Sequence, residues 1–289
     1  MGLRDEVAKA GEELAEKIGA TAIIIISPHG REIRKLLKTR LPVIIARVDG
    51  SAPRGRDVSV NLYSRIPQEV DHESVFLKVS RIELMSEAIE AAYIKGLIDD
   101  RIVLGIVSIG DVHSVVVVDI TDIPFIKKIA DLAATVDYTI IKAVLNLSIE
   151  IGREGREGKS IGTAFIIGDS ESVLRRSHQL ILNPYEGHPA HVRDIRDETN
   201  WETVKEFAQL DGMFIVDDLG YIRAAGRYID ASAKGVEMLP GMGGRHLAGA
   251  AITRHTKSVA IIVSSSGGTI TVYQSGHEVF QLNPHISIT

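Results

Sequence analysis

The chain contains no cysteine, a single tryptophan and few aromatic residues of any kind, 5% in all. The first absence excludes disulfides, thiolate nucleophiles and thiolate-ligated zinc or iron–sulfur centres. Long apolar runs are also missing. The stretch AIIII at 22–26 is typical, and it is far short of the ~20 residues that cross a bilayer. The opening residues, MGLRDEVAKAGEELAEKIGA, are acidic and amphipathic, unlike the basic and then apolar pattern of a signal peptide. A cytoplasmic protein with no membrane partner is expected. Excess positive charge is lacking too: 33 Lys and Arg stand against 38 Asp and Glu, a net charge of -5. That balance argues against a dedicated nucleic-acid or anionic-membrane binder.

What the chain does have is isoleucine, valine, alanine and glycine in alternating helical and strand-like blocks. Its 289 residues suit one or two domains. Leu3, Val7, Ala10, Leu14 and Ile18 recur at helical spacing. Residues 21–27 then read as a strand buried on both faces, the pattern of a parallel strand. A turn and helix from Pro28 lead to a second strand at 42–48, completing a βαβ unit. Residues 81–98 form a long amphipathic helix, and two further apolar strands follow it. A parallel α/β domain over 1–122 is expected. From 123 the pattern becomes mainly helical, and from about 161 it shifts to short strands, with helices near 201–209 and 244–255. A hairpin is expected around Asp218-Leu219-Gly220, and a strand pair in KSVAIIVS and GTITVYQSG. Residues 123–289 therefore read as a mixed α+β domain, and the whole chain is an α/β protein.

Two stretches carry candidate chemistry. In SPHGRE (27–32), Ser27, Gly30 and Arg31 follow a buried strand and open a helix. Ligands of parallel sheets bind at such strand ends, and free helix amides can hold a phosphate there. A well-made turn with a solvated arginine accounts for the same residues. In GMGGRHLAGAAIT (241–253), Gly243 and Gly244 precede Arg245 and His246 at a helix start. The exposed amides and the guanidinium fork suit phosphate oxygens. The imidazole can bond a phosphate or ligate a divalent metal. A glycine-rich loop with a capping arginine and a satisfied histidine is the plainer reading. Upstream, Asp211 and Gly212 open a strand. The carboxylate can orient or deprotonate a hydroxyl, or simply end the preceding helix. His178, His188 and His191 do not match a zinc spacing, and His255 and His277 read as surface residues.

In order along the chain, GREGREGKSIGTAFIIGD, RSHQLILNPYEGH, LDGMFIVDDLGYIRAAGRYI and the Arg245-His246 stretch resemble the diadenylate cyclase family over about 125–282. ELAEKIGATAIIIISPHGREIRKLLKTRLPVIIA, NLYSRIPQEV and RIELMSEAIEAAYIKGLI resemble the C-terminal domain of pyruvate kinase over about 10–110. The pairing is similar to the archaeal branch of the cyclases. The resemblance implies that two ATP molecules are joined into cyclic di-AMP with release of two pyrophosphates, in a homodimer or higher homo-oligomer that sets two nucleotides head to head. It implies Mn2+ or Mg2+ as cofactor, with Asp211 and His246 as metal ligands. Asp211, Arg245 and His246 take the catalytic positions. The ATP-binding set is Asp211, Gly212, Met213, Gly243, Gly244, Arg245, His246, Thr253, Ser264 and Ser265. In the first half, Ser27, Gly30 and Arg31 fall where that family can bind a sugar-phosphate effector.

The chain departs from the cyclase pattern at four places. Leu247 stands where a second arginine is common, Gly244 for threonine, Met213 for alanine, and Ser265 for a glutamate that helps hold metal. These changes also fit a catalytically silent sensor of ATP or cyclic di-AMP. An effector-binding scaffold built on the first domain is a third reading.

Overall fold

The computed structural model describes residues 2–47, 58–59, 81–99, 101–155, 160–236, 243–282 and 284. NLYSRIPQEV, residues 156–159 at the end of the GREGREG segment and Gly241-Met242 lie outside the described residues. Two compact units divide the chain, Met1–Lys127 and Lys128–Pro284.

In the first unit, α1 (Leu3–Ile18) ends on Gly19, whose left-handed φ of 67° turns the chain into β1 (Ala22–Ile26). Then come α2 (Gly30–Leu36), β2 (Val43–Arg47), β3 (Val58–Ser59), α3 (Arg81–Ile94), β4 (Ile102–Ile109) and β5 (Val112–Asp119). The sheet order is β3-β2-β1-β4-β5. β1 pairs in parallel with β2 and β4, and all five of its residues are buried, as its uninterrupted apolar sequence requires. The sequence points to a parallel sheet, and the unit departs from that at one edge, where β5 runs antiparallel to β4. The cause is local: only Gly110 and Asp111 separate the two strands, and a two-residue loop cannot make a parallel crossover. β5 forms the half-exposed edge of the sheet.

The second unit begins within α4 (Pro124–Ala133). α5 (Tyr138–Glu154) follows, capped by the Asp137 carboxylate, which accepts from the Thr139 amide at 2.8 Å. Next are β6 (Thr163–Ile167), α6 (Ser170–Arg175), β7 (Ser177–Gln179), α7 (Trp201–Phe207), β8 (Met213–Val216), β9 (Ile222–Ile229), α8 (Gly244–His255), β10 (Val259–Val263), β11 (Ile270–Gln274) and β12 (His277–Leu282). Their sheet order is β12-β11-β10-β6-β8-β9-β7, with only β6 and β8 parallel.

Strand alternation divides the core of this unit. Ala164, Ile166, Met213 and Ile215 pack with Ala250 and Ile252 of α8. The alternate residues Phe165 and Phe214 stack 4.9 Å apart, Tyr185 meets Phe214 edge-on, and Phe207 in turn meets Tyr185 edge-on. Lys205 of α7 is buried and reaches Glu150 at 2.8 Å, Glu202 at 3.0 Å and Glu154 at 3.4 Å. Burial alone would lower its pKa, but the hydrogen bonds to Glu150 and Glu202 win and raise it. The amine thereby ties α7 to α5.

Candidate active site

Strand register gathers most of the expected residues at one end of the second sheet. β6 and β8 are parallel with Phe165 opposite Phe214, so Thr163 and Gly212 lie side by side at their starts. β10 is antiparallel to β6, with Val263 opposite Thr163, so Ser264 and Ser265 leave the sheet at this same end. Ser160 donates to the Ser265 carbonyl at 2.5 Å, which fixes the serine loop against the approach to β6. Arg245, in the first turn of α8, donates toward the carbonyls of Gly212 at 3.4 Å and Leu210 at 3.5 Å. Its guanidinium is 3.9 Å from the Asp211 carboxylate. Asp211, Gly212, Met213 and Arg245 therefore form one local group.

Within this group the side chains differ in availability. Asp211 is 96% exposed, with its carboxylate facing solvent. Arg245 is half-buried, and its contacts are long enough to exchange for better acceptors. α8 opens at Gly243, whose carbonyl accepts from the amides of His246 and Leu247. The amides of Gly244 and Arg245 precede these bonds, and no acidic residue occupies the first turn. That is an arrangement ready for an anion. Gly212 has a structural reason to be glycine. Its φ is +101°, and a Cβ would come within 2.6 Å of the Gly226 carbonyl carbon and 2.7 Å of the Arg227 amide. Met213 is buried in the core beneath α8.

Two expected residues have different surroundings. His246 is buried, its ring edge-on to Tyr273 with centroids 6.2 Å apart. Burial lowers its pKa, opposed weakly by Glu278, so the neutral imidazole is favoured. One residue along a helix is a rotation of about 100°, which separates the setting of His246 from that of Arg245. Thr253 lies toward the other end of α8. It is buried, donates to the Ala250 carbonyl at 3.0 Å and accepts from the Gly276 amide at 3.1 Å in the β11–β12 turn. The structure does not bring it to Asp211. Among the described residues no group of three His, Cys, Asp or Glu side chains is placed to hold a metal. Among the described residues, Asp211 is the one carboxylate in contact with Arg245. Divalent ions such as Mg2+ are often held by one or two carboxylates plus substrate phosphates and water. Asp211 fits that lesser demand.

The first-unit loop also has structural uses for its residues. Ser27 is buried and accepts from the His29 amide at 3.1 Å, while Arg31 is exposed. A Cβ on Gly30 would stand 2.6 Å from the Ile45 methyl. Sequence reasoning passed over Tyr228, which follows the Arg227–Met213 pairing and so lies at the Asp211 end. Its exposed ring meets His178 at 5.3 Å, and His178 pairs with Asp230 at 2.8 Å. Nothing in the spacing of these residues signals their association, which β9 and β7 create across the chain.

Comparison with known proteins assigns both units. Residues 150–278 match the family described as DisA bacterial checkpoint controller nucleotide-binding. Residues 6–121 match a probable sensor domain, DacZ_A, which gives the first unit a closer assignment than its pyruvate kinase resemblance. A diadenylate cyclase of Haloferax volcanii is 38% identical over 51% of this chain and 54% of that protein. Two solved structures share 18% identity with the chain. DacA from Staphylococcus aureus, a double mutant, matches with TM-score 0.33 over 51% of this chain and 89% of that one. A hypothetical membrane spanning protein from Bacillus cereus matches with TM-score 0.32 over 50% and 61%. No helix among the described residues of the present chain is long and apolar enough to cross a membrane. A diadenylate cyclase of Methanocaldococcus jannaschii is 33% identical over 98% of this chain and 97% of that protein, and on that near-complete correspondence the chain belongs to the diadenylate cyclases, a family of nucleotidyltransferases.

Proposed function

We propose that the chain condenses two ATP molecules into cyclic di-AMP and two pyrophosphates. In each half-reaction the 3′-oxygen of one nucleotide bonds to the α-phosphorus of the other. The bond from that phosphorus to the bridging oxygen of pyrophosphate breaks, and the hydroxyl proton leaves. The observation that carries the reading is the contact group of Asp211, Gly212 and Arg245 at a sheet end in a chain of this family. Asp211 orients the 3′-hydroxyl and accepts its proton. Arg245 exchanges its long bonds to the Leu210 and Gly212 carbonyls for phosphate oxygens, where a guanidinium fork bonds more strongly. Together with the first amides of α8 it offsets charge growing toward pyrophosphate. His246 is a positioning residue that seats the helix start against β11. Ser264 and Ser265 lie within the same sheet end and contact the nucleotide.

Mn2+ or Mg2+ is the cofactor in this reading, held by Asp211 with ATP phosphates and water, and it supplies Lewis-acid stabilisation of phosphate charge when bound. We leave His246 outside the coordination, because its ring is buried against Tyr273.

Incubation with ATP and Mn2+ or Mg2+, followed by chromatography and mass spectrometry, tests the proposal. Cyclic di-AMP is the expected product, and Asp211→Asn is expected to reduce turnover by about 100-fold or more while retaining ATP-analogue binding. Nucleotide binding by the wild type with no product under any metal or temperature would instead establish the silent sensor suggested by Leu247 and Ser265.

A further inference from the structure

A cavity of about 530 Å³ opens beside β9, lined also by the chain between β7 and a helical turn at Ala190–Arg193. Its volume falls within the ~300–1,000 Å³ of small-molecule sites. Arg193, Arg223 and Arg227 line it together with His188, and Glu186 is its only lining carboxylate. Neither Asp211 nor Arg245 belongs to its wall.

The positive charge here is incompletely matched. Arg227 is half-buried and, among the described residues, donates only to neutral acceptors: the Ser177 hydroxyl at 2.9 Å, the Ser177 carbonyl at 2.5 Å, the Leu174 carbonyl at 3.0 Å and Gln179 Oε1 at 3.3 Å. Burial lowers its pKa, with Asp230 acting in the opposite sense. Arg193 donates to the Ile222 carbonyl at 3.2 Å, while its buried Nε has no hydrogen-bond partner. Arg223 reaches carboxylates only at long range, Glu171 at 3.5 Å and Asp217 at 3.8 Å. Among the described residues neither Arg193 nor Arg227 makes an ion pair. Removing a guanidinium from water without a counter-ion is costly, so such groups are usually paired. An open cleft of about 750 Å³ elsewhere in this unit makes a useful contrast. Its Arg254 and Lys257 face Asp169 and Asp218, a balanced lining.

We propose that the arginine-lined cavity binds a small polyanion bearing two or more linked phosphates, separately from the nucleotide held at Asp211 and Arg245. The guanidinium fork suits phosphate oxygens, and a di- or triphosphate matches the charge of Arg193 and Arg227 where a single carboxylate would not. The ligand also gives the buried edge of Arg193 a reason to be polar.

Calorimetry on the full chain tests this, with inorganic tripolyphosphate as the probe, excess magnesium and a non-hydrolysable ATP analogue saturating the nucleotide site. One additional binding event per chain is expected. Arg193→Gln and Arg223→Gln should each weaken it about 10-fold or more, the loss of one charge-assisted hydrogen bond, and leave analogue affinity unchanged. Arg223 is 39% exposed, so its variant keeps the test decisive even if Arg193→Gln does not fold. Absence of the additional event, or equal tripolyphosphate affinity in wild type and folded variants, would overturn the proposal. Loss of analogue binding with tripolyphosphate binding intact would count against the cyclase reading and leave this site standing.

Discussion

At the scale of single residues, the glycines near the site have different reasons to be glycine. Gly212 combines a φ of +101° with a backbone neighbour 2.6 Å from any added Cβ. Gly212→Ala is therefore expected to cost about 2–4 kcal/mol through overpacking and strain, read as a lower denaturation midpoint. Gly244 has open space around its missing Cβ and lies in a helix. Gly244→Ala should keep or raise stability, by up to about 1 kcal/mol. Gly244→Ala keeps its backbone amide, and threonine is common at this place in the family, so this variant is expected to keep both fold and activity, whereas the Gly212 variant loses both. Lost turnover in a stable Gly244→Ala protein would instead show that a ligand approaches that Cα too closely for a methyl group. The same distinction explains what was hard to read in the sequence. An Asp-Gly pair before a strand suggests room for a nucleotide, but the approach of β9 from beyond residue 220 also demands that glycine.

At the scale of elements, α5 depends on its cap. Asp137 accepts from the side chain and amide of Thr139, and those bonds hold its pKa below the usual carboxylate value. The sign follows from linkage. A folded-state pKa below the unfolded one stabilises above the unfolded value, about 3.9, and the benefit disappears as pH falls through the folded value. Asp137→Ala is expected to lose about 1 kcal/mol at neutral pH, with the deficit vanishing in strong acid; paired thermal melts across pH measure it. Elements with several periods were legible from sequence: α1, the buried β1, α3, α5, and the β8–β9 hairpin around Asp218-Leu219-Gly220. Short ones were not. α6 and β7 contain too few residues to display a helical or alternating pattern, and β12 follows β11 so closely that its apolar residues merge with the turn. The antiparallel β5 was recognisable as a strand, but its direction depended on the brief Gly110-Asp111 turn. Likewise, the composition of α8 suits an anion-binding start or a plain cap. It could not tell that Arg245 turns toward Asp211 while His246 and Thr253 are taken into packing and the β11–β12 turn.

At the scale of the whole molecule, cyclisation imposes a symmetry. One site presents one Asp211 and one Arg245, while the product needs two reciprocal attacks. In the proposed reaction, two chains related by a two-fold axis supply both. Turnover per chain should consequently fall on dilution through the dimer dissociation range, measured alongside sedimentation. Constant turnover where only monomers sediment would refute reciprocal attack between chains.

The hydrogen bond made by Trp201 has a practical consequence for such measurements. It is the sole indole in the chain, it is buried, and its Nε1 donates to the Ile195 carbonyl at 2.8 Å, two residues beyond Arg193. The protein thus has an intrinsic fluorophore with an unambiguous address. Selective excitation observes the segment leading from the arginine-lined cavity into α7, without an extrinsic dye and without signals from a second tryptophan to separate.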